Sequence, residues 1–214
     1  MARGRFITLE GGEGAGKSTQ IAHLTDRLRG WGCEVLQTRE PGGSAGAERI
    51  RELLVTGDTD RWDGMTEALL HFAARRDHLV RTVYPALEKG IWVLSDRFAD
   101  STMAYQGYGH GLGRDAIERL YQIAVGDFEP DLTLILDLPV EEGLSRTGSR
   151  GTGEDRYERM DVAFHHRLRD GFLDIARRAP ERCAVIDASG NIEQVADEIG
   201  RLTLAKFAEL GDAG

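Results

Sequence analysis

The chain has 214 residues, 41% apolar and 29% charged, which suits one globular domain with a core large enough to need neither disulfides nor metals. Its formal net charge of −9 opposes sequence-independent binding to a nucleic-acid backbone. Apolar runs such as Leu134-Ile135-Leu136 fall far short of the roughly 20 residues that cross a bilayer.

Cys33 and Cys183 lie far apart with no metal-ligand spacing, as expected of two reduced thiols. The apolar stretch Phe6 to Leu9 breaks at Glu10 before a signal-peptide core forms, so a cytoplasmic location without membrane or nucleic-acid partners is expected. The positive charge is unevenly divided between 24 arginines and three lysines, Lys17, Lys89 and Lys206. An anion site in this chain is therefore built from arginine, with lysine kept for a specific task.

No internal repeat or Pro-rich linker divides residues 1–214, and a single domain is predicted. In chain order, strands are predicted at Arg5–Glu10, Glu34–Thr38, Ile91–Asp96, Leu132–Leu138 and Cys183–Asp187, each short and mostly apolar on both faces, as buried parallel strands are. Helical patterns lie between them. After Gly16, the residues Ile21, Leu24, Leu28 and Trp31 share one face until Gly30 and Gly32 stop the pattern. Residues 64–89 form a longer helical stretch with a break expected near Pro85. Alternating strands and helices imply right-handed crossovers and a five-stranded parallel sheet with helices on both faces. Ligands of such α/β folds bind beyond the carboxyl ends of the strands.

Directly after the first strand stands Gly11-Gly12-Glu13-Gly14-Ala15-Gly16-Lys17-Ser18-Thr19, a full match to G-x-x-x-x-G-K-[ST]. The glycines let successive backbone N–H groups turn inward around a phosphate. Lys17 brings a compact charge to the β and γ phosphates, and Ser18 offers its hydroxyl to Mg²⁺. The helix that starts here directs its positive end at the anion. ATP is thus expected on residues 11–19, with Mg²⁺ as its companion.

Guanine-specific switches read their base with Asn-Lys-x-Asp, whereas the only asparagine here is Asn191, followed by Ile192. Arg39 after the second strand, Arg51 along that crossover, Arg75 in the long helix and Arg97 after the third strand converge on the functional rim. They suggest a second phosphate held opposite the ATP, and so a phosphoryl transferase. Asp96 and Asp137 each end an apolar strand as a metal-holding carboxylate does. Asp96 is preferred because Arg97 beside it joins a metal contact and an acceptor-phosphate contact in one turn. A kinase for another monophosphate or a small hydroxyl metabolite, and a nucleotide-binding regulatory module with little turnover, are the competing readings.

Together with the phosphate loop, Arg39-Glu40-Pro41-Gly42-Gly43, Asp96-Arg97-Phe98, Ser101-Thr102-Met103-Ala104-Tyr105-Gln106-Gly107 and Asp155-Arg156-Tyr157-Glu158 resemble the bacterial thymidylate kinases in order and spacing over essentially the whole chain. The resemblance implies a P-loop NTPase fold, homodimers, and transfer of a phosphoryl group from MgATP to dTMP, giving dTDP and ADP in dTTP biosynthesis. It places Lys17 and Arg97 at the transfer, Ser18 and Asp96 at the metal, Arg39 and Arg97 on the acceptor phosphate, and Glu40 near the metal or reacting centre. Glu10 would stand behind the metal. Glu13 would meet the acceptor's 3′-hydroxyl, and Tyr105 would pack where a 2′-hydroxyl would sit. Arg51 and Arg75 resemble contacts to the thymine side, and Thr102 and Gln106 resemble partners of the base.

One position departs from the family pattern. Where the family places a phenylalanine that stacks on thymine, this chain has His71, followed by Phe72, and either ring would serve. The segment from Ser145 to Glu158 sets Arg146, Arg150 and Arg156 among Gly148, Gly151 and Gly153, as expected of a short Arg-rich lid. With no arginine in the variable part of the phosphate loop, the chain resembles the subtype whose lid arginine stabilises the transition state. Arg150 and Arg156 are the candidates. Residues 64–84, with Leu69, Leu70, Phe72 and Ala73, would supply the apolar face of a homodimer or else internal core.

Overall fold

The computed structural model describes residues 3–147 and 156–208. Five strands, β1 (Phe6–Gly11), β2 (Val35–Arg39), β3 (Trp92–Asp96), β4 (Leu132–Asp137) and β5 (Cys183–Asp187), form one sheet in the order β2-β3-β1-β4-β5. Every pairing is parallel. The central strand β1 is buried along its whole length, whereas the edge strands β2 and β5 are partly exposed. A central parallel strand is covered on both faces, which is why the run Phe-Ile-Thr-Leu shows no polar alternation.

Successive side chains of β1 enter two different cores. On one face Phe6, Val93 and Ile135 pack with Phe98, Phe164, Leu168 and Phe172. On the other, Ile7, Leu9, Leu94 and Leu134 pack with Ile21, Leu24, Leu28, Val195 and Ile199. The second group belongs to α1 (Lys17–Gly30) and α9 (Ile192–Lys206), which pack against each other. Each fully buried aliphatic or aromatic side chain contributes about 1.5–3 kcal/mol, so the two layers outweigh any single polar contact in holding the sheet.

The first face carries α2 (Ala45–Val55), α3 (Gly64–His78) and α4 (Tyr84–Glu88), then α5 (Ala99–Thr102), α6 (Arg114–Ala124), α7 (Val140–Thr147) and α8 (Val162–Arg178). The stretch predicted to break near Pro85 does not break. A π-helical turn at Leu79–Val83 joins α3 to α4. Proline lacks the N–H that an α-helix requires at that point, and the wider turn carries the chain past it as one helical element. A second wide turn, Met103–Gly109, extends α5.

The sheet's carboxyl end brings the chemistry together. In the register, Leu9 and Arg39 both pair with Asp96, so the ends of β1, β2 and β3 and the loops after them share one crevice.

Candidate active site

The phosphate loop joins β1 to α1. Gly14 has φ +69° and Gly16 has φ +84°, a left-handed conformation that glycine adopts without strain. At Gly14 a Cβ would lie 2.1 Å from the carbonyl oxygen of Gly143 on α7, so the loop seats against that helix through a bare backbone. Lys17 closes the loop by donating to the carbonyl oxygens of Gly11 (3.2 Å) and Gly12 (2.8 Å). Burial, and then the charge of Arg97, bring its ammonium down to about 8, which marks a cation waiting for an anion.

At the mouth of the loop the Ser18 hydroxyl donates to Asp96 Oδ2 at 3.0 Å. Asp137, the competing carboxylate, is held by Arg169 through Nε at 2.6 Å and Nη2 at 2.8 Å. No cluster of three or more His, Cys, Asp or Glu side chains able to hold a metal occurs among the described residues. A hydroxyl and one carboxylate, hard oxygen donors beside a phosphate cradle, nevertheless fit Mg²⁺, which takes its remaining ligands from water and substrate phosphates.

Arg97 is the one non-glycine residue with positive φ, +71°, among the described residues. Glu10 holds this turn by accepting from the Phe98 backbone N–H at 2.7 Å and the Ser101 hydroxyl at 2.5 Å. Its buried carboxyl is raised to about 7 by desolvation and by Asp100 nearby. The turn aims the Arg97 guanidinium back at the phosphate loop, where Nη1 donates to Gly11 O (2.9 Å) and Ser101 Oγ (3.0 Å) and Nη2 to Glu13 Oε1 (3.2 Å). The Tyr105 hydroxyl also donates to Glu13. Burial would raise Glu13, but the charges of Arg97 and Lys17 keep it below the usual carboxylate range. Glu13 therefore stays an anion turned towards the neighbouring cleft, though it belongs to the loop that surrounds phosphate.

Two cavities meet here. Glu13 through Thr19 line the first, with Arg39, Asp96 and Arg97. The second is a cleft with about 650 Å³ of empty space, open at its mouth, lined by Arg75, Thr102, Tyr105, Gln106, His71 and Tyr157 among others. Glu13, Glu40, Arg51, Arg97 and Glu158 line both cavities.

At the cleft's deep end, Arg75 is 2% exposed. Its Nε donates to Glu40 Oε2 at 2.7 Å, and Nη2 donates to Phe98 O and Thr102 Oγ1, both at 3.0 Å. Its Nη1 is buried without a hydrogen-bond partner, as is Oε1 of Gln106. Glu40 is buried, and the charge of Arg75, with a hydrogen bond involving His78, overrides desolvation and keeps it ionised. It thus serves Arg75 as a partner besides facing both cavities. Arg39 is mostly exposed and donates to Glu48 at 3.1 Å, while Arg51 donates to the carbonyl of Pro41 at 2.9 Å. Arg51 borders the phosphate-loop cavity as well as the cleft, so it is less remote from the loop than a contact to a base alone would be.

The structure separates the two rings left open by the sequence. His71 lines the cleft, its Nε2 3.0 Å from the Tyr157 hydroxyl. Burial, and then Arg75, lower its imidazole to about 3, so it is neutral. Phe72 turns the other way into the core, edge-on to Tyr121, and is not a cleft residue. Helical geometry is the reason, because consecutive residues diverge by about 100°, so Phe72 points away from the face that His71 shares with its i+4 neighbour Arg75.

Arg156 departs from the lid expectation. It is 1% exposed, ion-paired to the fully buried Glu67, and donates to the carbonyls of Asp58 (2.8 Å) and Thr59 (2.9 Å). All of these partners belong to α3 or the loop before it, and none to the phosphate loop. As placed, Arg156 is a strut beneath the cleft. Arg150 lies outside the described residues, as do lid positions 148–155.

Ser101, Tyr157 and Glu158 line the cleft and Glu67 stands behind it, none of them having been singled out as site residues from the sequence. A signal for Glu67 existed: Glu67, His71, Arg75 and His78 fall at i, i+4, i+8 and i+11, a polar stripe along one face of α3.

A family model described as thymidylate kinase matches residues 9–199. A thymidylate kinase of Caulobacter vibrioides is 54% identical over 207 residues, covering 97% of this chain and 99% of its own length. One of a Jannaschia species is 52% identical, with 95% and 98% covered. The crystal structure of thymidylate kinase from Ehrlichia chaffeensis superposes with a TM-score of 0.75 at 35% identity, covering 94% of this chain and 99% of that one.

Proposed function

The chain belongs to the thymidylate kinase family and phosphorylates dTMP to dTDP with ATP as donor; on that premise we propose that the phosphate-loop cavity holds ATP, the adjoining cleft holds dTMP, and Arg97 works at the boundary. The observation that carries this reading is the shared wall. Glu13, Glu40, Arg51, Arg97 and Glu158 line both cavities, as reaction between two nucleotides laid end to end requires.

Phosphoryl transfer asks the protein for alignment and for positive charge around the moving group. An oxygen of the acceptor phosphate forms a bond to the γ-phosphorus while the bond to the ADP oxygen breaks. Lys17 would exchange its two loop carbonyls for phosphate oxygens. Arg97, with Arg39 and Arg51 on the same rim, would hold the acceptor phosphate in line. Ser18 and Asp96 would hold Mg²⁺, which screens the charge of the polyphosphate when bound.

The acceptor's sugar would meet Glu13, whose carboxylate stays ionised and can accept from a 3′-hydroxyl. The Tyr105 hydroxyl is committed to Glu13 and its ring stands under the Arg97 guanidinium, 5.0 Å away, which leaves little provision for a 2′-hydroxyl. The base would lie along His71, with Arg75 and Gln106 at its polar edge and Thr102 beside them. Arg150 remains the candidate for transition-state charge from the lid.

The enzyme would work as a cytoplasmic homodimer. Met65, Leu69 and Val80 on the long helical element and Ile123 on α6 expose 38%, 51%, 47% and 84% of their surface, and α3 packs against α6. Phe72 belongs to the core and not to this face. Among the described residues no helix is long and apolar enough to cross a membrane.

The deciding experiment is ADP release from MgATP in the presence of dTMP, dUMP, UMP, CMP, AMP, GMP or no acceptor. Strong stimulation by dTMP with dTDP formed in equal amount is expected. Stimulation by a different acceptor alone would overturn the base-site assignment, and ATP binding without any acceptor-dependent release would favour a regulatory module.

A further inference from the structure

Beneath the acceptor cleft sits one buried carboxylate that touches no substrate position. Glu67 is fully buried on α3 and is ion-paired to Arg156. Its Oε2 receives Gln106 Nε2 at 3.0 Å and the Tyr157 hydroxyl at 3.2 Å, and His110 Nε2 lies 3.4 Å away without a hydrogen bond of its own. Burial alone would raise this carboxyl, but His110 and the hydrogen bond and charge of Arg156 hold it down at about 2.

An ionised carboxylate only accepts hydrogen bonds. That restriction passes outward to the residues around it. The Gln106 amide has to direct its NH₂ at Glu67, because turning it over would set two acceptors face to face 3.0 Å apart. Its Oε1, buried and without a partner, is then left for the cleft that Gln106 lines. By the same logic Tyr157 spends its proton on Glu67, so its oxygen accepts from His71 Nε2–H across 3.0 Å, which sets the tautomer of that neutral ring.

Arg75 completes the pattern. With Nε on Glu40 and Nη2 on Phe98 and Thr102, its unpartnered Nη1 is a donor available at the same cleft. One donor beside one acceptor matches the 4-oxo, N3–H edge of thymine or uracil. Cytosine presents the reverse, a 4-amino donor beside an N3 acceptor.

We propose that Glu67 is a positioning residue for base selection: its charge orients the Gln106 amide so that the cleft accepts a lactam N–H and rejects cytosine. The proposal rests on the reading of this cleft as the dTMP site. It assigns Glu67 no contact with substrate and no part in phosphoryl transfer.

The test compares kcat/KM for dTMP and dCMP in the wild type, Glu67→Gln, Gln106→Leu and the double variant E67Q/Q106L. In Glu67→Gln the new amide donates to Gln106 Oε1, and Gln106 turns its NH₂ into the cleft. The dTMP-to-dCMP ratio is expected to fall about 100-fold, as a site reading one reversed hydrogen-bonding edge does. The change should lie in KM for dTMP, with kcat at saturation within about threefold of wild type. In the Gln106→Leu background, Glu67→Gln should move the ratio no further.

A preserved ratio in folded Glu67→Gln, or an additional fall in the double variant, would overturn the proposal. Because Glu67→Gln leaves Arg156 buried without a counter-charge, E67Q/R156M is measured alongside it and carries the same expectation for the ratio. A wild type that shows no dTMP-dependent ADP release would instead overturn the assignment of the cleft, an outcome distinct from a dTMP-specific enzyme whose selectivity ignores Glu67.

Discussion

ATP binding should be accompanied by proton uptake above pH 8, and Lys17 is the reason. In the free protein its ammonium is buried beside Arg97 and titrates at about 8 in place of 10.5, because burial and a like charge outweigh the attraction of Glu13, Asp96 and Glu10. A depression of that size corresponds to about 3 kcal/mol against the charged form. Polyphosphate placed against Nζ reverses the balance and restores the ammonium. The sign follows: the free protein loses this proton as pH rises through 8, the complex keeps it, and binding above pH 8 must return it. Uptake is then about 0.1 proton per ATP at pH 7 and about 0.75 at pH 8.5, and Kd weakens about tenfold between pH 7 and pH 9.

Isothermal titration in buffers of differing ionisation enthalpy reads the uptake directly. The pH window isolates Lys17, because Glu10 titrates near 7 and Cys183 near 12, while desolvation pushes Tyr105 well above its ordinary value. A Lys17→Arg protein that still binds ATP should show no uptake at pH 8.5, since a guanidinium does not titrate there. A flat Kd with no proton uptake between pH 8 and 9 in the wild type would refute the reasoning.

Three further outcomes are expected. Gly14→Ala sets a Cβ 2.1 Å from Gly143 O at a positive φ; it should cost about 1–3 kcal/mol and weaken ATP binding, and a wild-type Tm and Kd would count against the close seating of the loop on α7. Arg156→Met leaves Glu67 buried and uncompensated, so about 3–5 kcal/mol of stability should be lost in denaturant unfolding; unchanged stability with kcat lowered 100-fold would return Arg156 to the transition state. Phe72→Ala opens the core for about 3–5 kcal/mol while KM for dTMP stays within about threefold, and a tenfold KM rise at constant Tm would put that ring back in the cleft.

What the sequence made legible was local chemistry. The phosphate loop needs glycines, a lysine and a hydroxyl in one short run, so it stands out from its surroundings, and buried parallel strands need apolar residues on both faces, so the five strands could be read with ends correct to within a residue. The break expected near Pro85 was a sound inference about hydrogen bonding that the π-helical turn at Leu79–Val83 satisfies by another route. Asp96 was separable from Asp137 in the sequence only by its neighbour Arg97; in the structure Asp137 is paired with Arg169 and Asp96 accepts from Ser18.

Long-range pairing was not legible. Arg156 follows a glycine-rich stretch and reads as mobile charge, yet its partners at Leu54, Asp58, Thr59 and Glu67 lie 89 to 102 positions away, at separations that periodicity cannot reach. The same holds for the Arg97, Glu13 and Tyr105 cluster, assembled across 84 and 92 positions. A buried arginine requires a carboxylate to keep its charge, and a buried carboxylate dictates the direction of every hydrogen bond it receives. The direction of the Gln106 amide is therefore set by Glu67, which does not line the cleft, and a sequence reading confined to the lining could name Gln106 without knowing which end of its amide faces inward.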